Sequence, residues 1–300
     1  MRHIRTYSEV EDPAGSEVLE QVVAQRERLH RRLADVGAVV PVASGKGGVG
    51  KSAVTANLAV TLARAGLRVG ALDADLNGPS LARMLGVVGR RLRDEGEGAV
   101  PPAGAEGVRV VSMELLQEDE DAPLRWREPA GDTWLWQSSL ESGALREFLS
   151  DVAWGSLDVL LVDVPPGTDK ISRLLSLVPR PGPVILVTTP SEMARSVVAR
   201  SVRLVREADV GPIGLVANMT EWVCPDCGRR TALHDEDGAE RLARETGLET
   251  WTRVPFDPRL SRATDRGRPL AAVEPDGPVG RAFQELARRL RTALPEGGDP

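Results

Sequence analysis

Residues 39–52 read VVPVASGKGGVGKS, an apolar run that breaks into glycines and closes on a lysine and a serine. The apolar run predicts a buried strand, and the apolar spacing of SAVTANLAVTLARAG after it predicts a helix. Between them, Gly45-Lys46-Gly47-Gly48-Val49-Gly50-Lys51-Ser52 fits G-x-x-x-x-G-K-[ST]. Glycines let the backbone curl so that successive N–H groups converge, and the helix behind them adds its positive end. Such a loop cradles phosphate. Lys51 is placed to bridge β- and γ-phosphates, and the Ser52 hydroxyl to bind Mg²⁺. A strand before the loop and a helix after it separate this pattern from an ordinary glycine turn.

Working outward, RVGALDAD, VRVVSM, LDVLLVD, PVILVTTP and PIGLVAN alternate with helical patterns. The alternation predicts an α/β fold, a mostly parallel twisted sheet with helices on both faces. Pro41 sits awkwardly in the first strand, because proline lacks the ladder donor. Residues 1–36 read as a polar arm and a leading helix, with Val18, Val22, Val23, Leu29 and Leu33 at helical spacing, and residues 37–300 as the nucleotide-binding domain. The Gly-, Pro- and acid-rich stretch from Gly89 to Trp126 reads as a surface excursion around VRVVSM. Ala130 to Gly143 shows no assignable pattern, and its Trp134 and Trp136 read as local packing. A final helix, Val279 to Leu294, carries Phe283, Leu286 and Leu290 on one side and reads as a docking helix in preference to a membrane-surface one.

Composition narrows the function. The 300 residues are 41% hydrophobic, enough for one large domain or two small ones. A net charge of -6 argues against a dedicated nucleic-acid binder. Aromatics at 3%, with Tyr7 the single tyrosine, exclude base-stacking platforms. No apolar run approaches the ~20 residues of a membrane helix, and residues 1–13 lack an apolar signal core. A cytoplasmic protein with no membrane partner is expected. Of 38 basic residues only Lys46, Lys51 and Lys170 are lysine, and two of these stand in the glycine loop. An ammonium group is required there.

Two acidic positions extend the phosphate site. Asp73 and Asp75 close the run RVGALDAD, at the carboxyl edge of a strand, where open α/β sheets bind ligands. There they can serve the Mg²⁺ shell and the attacking water. Asp163 ends the apolar run LDVLLVD and would hold the Mg²⁺ shell through water or Ser52. In the Pro165-Pro166-Gly167-Thr168 loop behind it, the Gly167 N–H can sense the γ-phosphate.

Cys224-Pro225-Asp226-Cys227-Gly228 holds both cysteines of the chain. Pro restrains such a turn, and Gly permits the left-handed conformation that aims N–H groups at sulfur. Two thiolates are half of a tetrahedral or cubane site. His234 and Asp235 could complete a mononuclear site, a second subunit could supply another pair, or the two thiols could act as a redox pair.

The GKGGVGKS loop resembles the deviant Walker A ATPases. With DADLNGPSLARMLG, GVRVVSM, DVPPGT, VANM before CPDCG, and VPFDPRL, residues 38–270 resemble the Mrp/Nbp35/ApbC iron–sulfur cluster carriers of that class. The resemblance implies a homodimer that binds ATP and Mg²⁺, hydrolyses slowly, and holds a labile [4Fe–4S] cluster on Cys224 and Cys227 of two subunits. Assembly scaffold and apo target proteins would be its partners. It also implies that Lys46 reaches the other subunit's nucleotide, that Asp75 orients the attacking water while Asp73 supports the Mg²⁺ shell, and that Asn218 with Pro255 and Phe256 flanks the adenine. Two departures stand out. Ala53 replaces a second hydroxyl that contacts the α-phosphate, and PPGTDK replaces PPGTGD. A positioning switch of the MinD/ParA kind with a structural zinc knuckle is the alternative reading; a nitrogenase-type reductase fits less, because its cysteines are widely separated.

Overall fold

The computed structural model describes residues 16–295 except 77, 95, 97, 117–132, 191, 209, 225 and 235–237. In chain order the elements are α1 (Ser16–Ala34), β1 (Val36–Ser44), α2 (Lys51–Arg64), β2 (Val69–Asp73), α3 (Leu81–Met84), β3 (Arg93–Asp94), β4 (Ala99–Val100), β5 (Arg109–Val111), α4 (Thr133–Ser150), β6 (Leu157–Asp163), α5 (Thr168–Leu177), β7 (Val184–Thr188), α6 (Glu192–Glu207), β8 (Ile213–Val223), β9 (Arg230–Ala232), α7 (Gly238–Thr246), β10 (Glu249–Phe256), α8 (Pro258–Asp265), α9 (Leu270–Val273) and α10 (Pro278–Ala293). Seven strands pair in parallel in the order β10-β8-β7-β1-β6-β2-β5, and β9 adds an antiparallel arm to β8.

Central strands are apolar throughout because both of their faces are covered. In β6, Val159 and Leu161 enter one core while Leu160 and Val162 enter the other. The first core is closed by α2, α3, α9 and α10, the second by α1, α4, α5, α6 and α7. Phe283, Leu286 and Leu290 of α10 are fully buried, so this helix docks on the domain and its apolar side is unavailable to a membrane. No helix among the described residues is long and apolar enough to cross one. Leu29 and Leu33 tie α1 into the second core, whereas Val23 is exposed.

Pro41 fits a central strand for a local reason. It pairs with Val162 of β6, while the ladder to β7 is interrupted between the Val39–Pro181 bridge and Val42. The missing N–H therefore costs no β7 bond. Within the stretch 130–143, unassigned from sequence, residues 133–143 belong to α4, which continues to Ser150; the side chains of Trp134 and Trp136, the arm before Ser16, the 117–126 part of the surface excursion and Asp235 lie outside the described residues. Strand β10 was not foreseen either. It is a sheet edge paired only with β8, and its mixed sequence ETWTRVPF lacks an apolar run. Trp251 lies across Gly214 of β8, where a Cβ would meet the indole at 2.1 Å.

The site follows from topology. Neighbouring strands β1 and β6 lead into α2 and α5 on opposite faces of the sheet, so their loops part at the carboxyl edge and leave a crevice.

Candidate nucleotide site and cysteine hairpin

The glycine loop leaves β1 after Ser44, whose Oγ donates to the Lys46 carbonyl at 3.0 Å. Gly48 and Gly50 take φ of 75° and 81°, values that a side chain makes costly. Gly50 is the N-cap of α2, and no side chain caps the first N–H groups there, so the helix presents them at the crevice. A Cβ on Gly50 would stand 2.4 Å from Asn218 Nδ2. That amide, nearly buried, donates to the Val49 carbonyl at 2.8 Å. The Asn218 side chain thus supports the loop directly, in addition to the adenine role expected of it.

Behind the loop lies a buried charged cluster. Lys51 Nζ is 2.5 Å from Asp163 Oδ1, and Ser52 Oγ donates to Asp163 Oδ2 at 2.5 Å. Thr55 Oγ1 donates to the same carboxylate at 3.2 Å. Sequence reasoning passed over Thr55, though its place four residues after Lys51 puts both on one face of α2. Asp163 is fully buried and pairs in register with Asp73 on β2. The Asp73 carboxylate, fully buried too, accepts N–H bonds from Asp75, Ser80 and Leu81 at 3.1, 2.7 and 2.9 Å. Burial first, and the Asp163 charge second, push its pKa up to about 7 against those three donors.

The remaining expected residues lie along the same edge. Asp75 follows β2 and accepts the Gly78 N–H at 3.2 Å. Gly167, with φ of 123°, N-caps α5 without a side-chain cap. Gly45, Lys46 and Ala53 are half-buried, Gly47 is exposed and Val49 is buried. At the end of β10, Pro255 is buried and Phe256 is 42% exposed, opposite Trp222 of β8, which is 37% exposed.

Beyond Asn218, strand β8 runs into the cysteine turn. Met219 has φ of 57°, rare for a side-chain-bearing residue, at an irregularity in the β8–β10 register. Pairs Glu221–Ala232, Trp222–Thr231 and Val223–Arg230 make β8 and β9 a hairpin with the cysteines in its loop. The loop closes through Cys224 N–H to Arg229 O and Gly228 N–H to Cys224 O, both 2.9 Å, with Gly228 at φ 69°. Backbone N–H groups of Cys227 and Asp226, and then the Cys227 thiol, hold the Cys224 thiol below its ordinary pKa. Such donors favour thiolate. Cys224 is half-buried and Cys227 exposed. Among the described residues no third His, Cys, Asp or Glu joins them in a metal-binding group, so His234 does not complete a site with the pair.

The model of the family described as NUBPL iron-transfer P-loop NTPase matches residues 35–291. The chain belongs to this family. Among relatives of the NUBPL-type chain, the iron-sulfur cluster carrier protein of Saccharolobus solfataricus is 35% identical over 274 residues, covering 91% of this chain and 89% of the relative. The carrier protein of Pseudomonas fragi is 40% identical over 257 residues, covering 85% of each. The cytosolic Fe-S cluster assembly factor NUBP2 of Bos taurus is 38% identical over 270 residues, covering 88% and 96%. In structure it is similar to the nucleotide-binding protein of Archaeoglobus fulgidus in complex with ADP, with cobalt found, at a TM-score of 0.71 and 35% identity over 86% of this chain and 96% of that one. The MinD cell division ATPase of Pyrococcus furiosus matches less closely, with a TM-score of 0.58 and 25% identity over 85% and 99%.

Proposed function

We infer that this NUBPL-type NTPase is a homodimeric iron–sulfur cluster carrier. ATP binds against Gly45 to Ser52 and is hydrolysed slowly, and a labile cluster, [4Fe–4S] as the family resemblance implies, is received from an assembly scaffold and passed to apo proteins. One observation carries the reading: the chain's only two cysteines stand together on an accessible hairpin loop as half of a ligand set, on the strand whose Asn218 supports the phosphate loop. Two copies facing one another bring four thiolates. The names of the relatives favour a carrier over a MinD-like positioning switch.

The oxygen donors of Ser52 and Asp163, adjacent at 2.5 Å, suit a hard cation, so these two residues would hold Mg²⁺. The ion supplies positive charge to the β- and γ-phosphate oxygens when bound. Asp73, its oxygens taken by backbone N–H groups, lies in register with Asp163 on the neighbouring strand and would support the Mg²⁺ shell as a further acidic group. Lys51 neutralises charge on the transferring phosphoryl group, with Lys46 of the partner subunit adding a second ammonium and Asp75 orienting water for attack on the γ-phosphorus.

Anaerobic reconstitution with iron and sulfide, followed by absorption spectra and metal analysis on size-separated protein, tests the reading. About four iron and four sulfide per dimer with a broad charge-transfer band is the expected result. A colourless dimer holding about one zinc would overturn it.

A further inference from the structure

Among the described residues six large apolar side chains stand exposed, and three of them gather at the cysteine hairpin: Trp222, Leu233 and Phe256. Scattered exposed apolar residues need no explanation, but a contiguous group beside a functional loop marks a contact surface. Neither Trp222 nor Leu233 joins either core.

Register puts these side chains on one face. Trp222 pairs with Thr231, and the Leu233 N–H donates to the Thr220 carbonyl at 3.1 Å, which continues the same pairing. Trp222 and Leu233 are therefore diagonal neighbours across the two strands, within reach of one another. Cys224 follows Trp222 by two residues, and its N–H bond to Arg229 carries the pairing onward, so strand alternation places it on that face as well. On the other side of β8, Phe256 stands in register with Trp222 and extends the apolar row onto β10. The opposite face of the hairpin carries Glu221 and Arg230, ion-paired at 2.6 Å. One face is thus charged and solvated, and the other is apolar and bears a thiol. A two-stranded arm is marginal in water until such a face is covered.

We propose that a second copy of this chain covers it, Trp222 and Leu233 packing against the matching face of the second subunit and closing an apolar contact around the four thiolates. The proposal rests on the carrier reading above and names the surface by which its two subunits meet. The cysteines decide the occupant. They are half of a ligand set, and among the described residues no third His, Cys, Asp or Glu joins them. The body that completes the set has to approach the face that bears the thiol. A second copy related by a two-fold axis brings two more thiolates and the same apolar residues, so the contact is self-complementary. An apolar cover also limits the access of water to the thiolates and to what they hold.

Sedimentation of the full chain over a range of concentrations after anaerobic reconstitution with iron and sulfide, with iron analysis of each species, tests the proposal. The double variant Trp222→Ser, Leu233→Ser is expected to dissociate at concentrations about 100-fold higher than the wild type, the loss typical of a central interface tryptophan, and to shed iron faster. Its melting temperature without iron should match the wild type. Thr231→Glu, opposite Trp222, deletes no apolar surface but sets two like charges in the contact, and should dissociate in the same way; Trp222→Phe should keep most of the dimer. Dimers as tight and as rich in iron as the wild type in both the double variant and Thr231→Glu overturn the proposal. Intact dimers that fail only in passing iron to an apo ferredoxin also overturn it, and assign the face to the recipient. A wild type that takes up no iron and sulfide sinks the carrier reading itself, whereas a wild type that loads as a monomer sinks only the pairing of subunits, this proposal included.

Discussion

Asn218 Nδ2 donates to the carbonyl of Val49 at 2.8 Å, joining residues 169 positions apart. The bond ties the strand that bears the cysteine hairpin to the loop that would hold the phosphates. Asn218 stands six residues before Cys224 on β8, so a displacement of the phosphate loop would act directly on the strand that leads to the cysteines. Met219 itself lies at the same junction, its Cε 3.4 Å from where a Cβ on Gly50 would stand.

Asn218→Ala removes that bond and strands the Val49 carbonyl in a buried place. A loss of about 1–3 kcal/mol in denaturant unfolding is expected, together with weaker binding of both ADP and ATP. Unchanged stability with unchanged nucleotide affinity would show that the contact contributes nothing.

Gly50→Ala combines left-handed strain with a collision against the Asn218 amide at 2.4 Å. The helix start has to shift, so nucleotide binding is lost in a titration while the rest of the fold persists. A further test is the double variant Gly50→Ala, Asn218→Ala, in which the collision is relieved but the φ strain of about 1–2 kcal/mol remains. Partial recovery of binding is the expected result.

Asp73 gives the nucleotide-free protein a pH signature. Its pKa is raised by folding from 3.8 to about 7, so the folded state holds a proton that the unfolded state releases. Its penalty is absent below about pH 4, grows as pH rises, and is complete above about pH 7, so stability falls with pH across that window. Asp73→Asn abolishes this slope in unfolding experiments run from acid to neutral pH. A slope of the same size in the variant assigns the titration to another group.

Cys224→Ala and Cys227→Ala each abolish cluster retention and leave nucleotide affinity unchanged, because the hairpin loop lies outside the phosphate cradle. Stoichiometric iron in either variant after reconstitution would falsify the thiolate assignment. Gly228→Ala strains the turn at φ 69° without a steric clash, and is expected to cost about 1 kcal/mol in stability and to lower cluster yield.

Much of the site was legible because its residues are close in sequence. The GKGGVGKS spacing, the acid at the end of LDVLLVD and the CPDCG turn are local patterns whose backbone requirements can be read residue by residue. The apolar runs of β1, β6, β7 and β8 carried the sheet, since strands buried on both faces tolerate little else. What stayed hidden lay at edges and across long separations. Strand β10 pairs on one side only, and its sequence ETWTRVPF neither alternates polar with apolar residues nor forms an apolar run, so it lacks both strand signals. Thr55 reads as one more helix residue until Asp163 is placed beside it.

By itself the sequence determined the phosphate loop, the parallel α/β architecture and the thiol pair, because each depends on short-range backbone geometry or on burial periodicity. The tertiary structure alone decided what the side chains do to one another. Asp73 is driven toward neutrality only because folding sets it in register with Asp163 and removes water from both. Asn218 becomes part of the phosphate loop only because the sheet gathers the carboxyl ends of distant strands on one edge. Charge, burial and contact depend on distance in space, and chain order does not specify that distance until the sheet has closed.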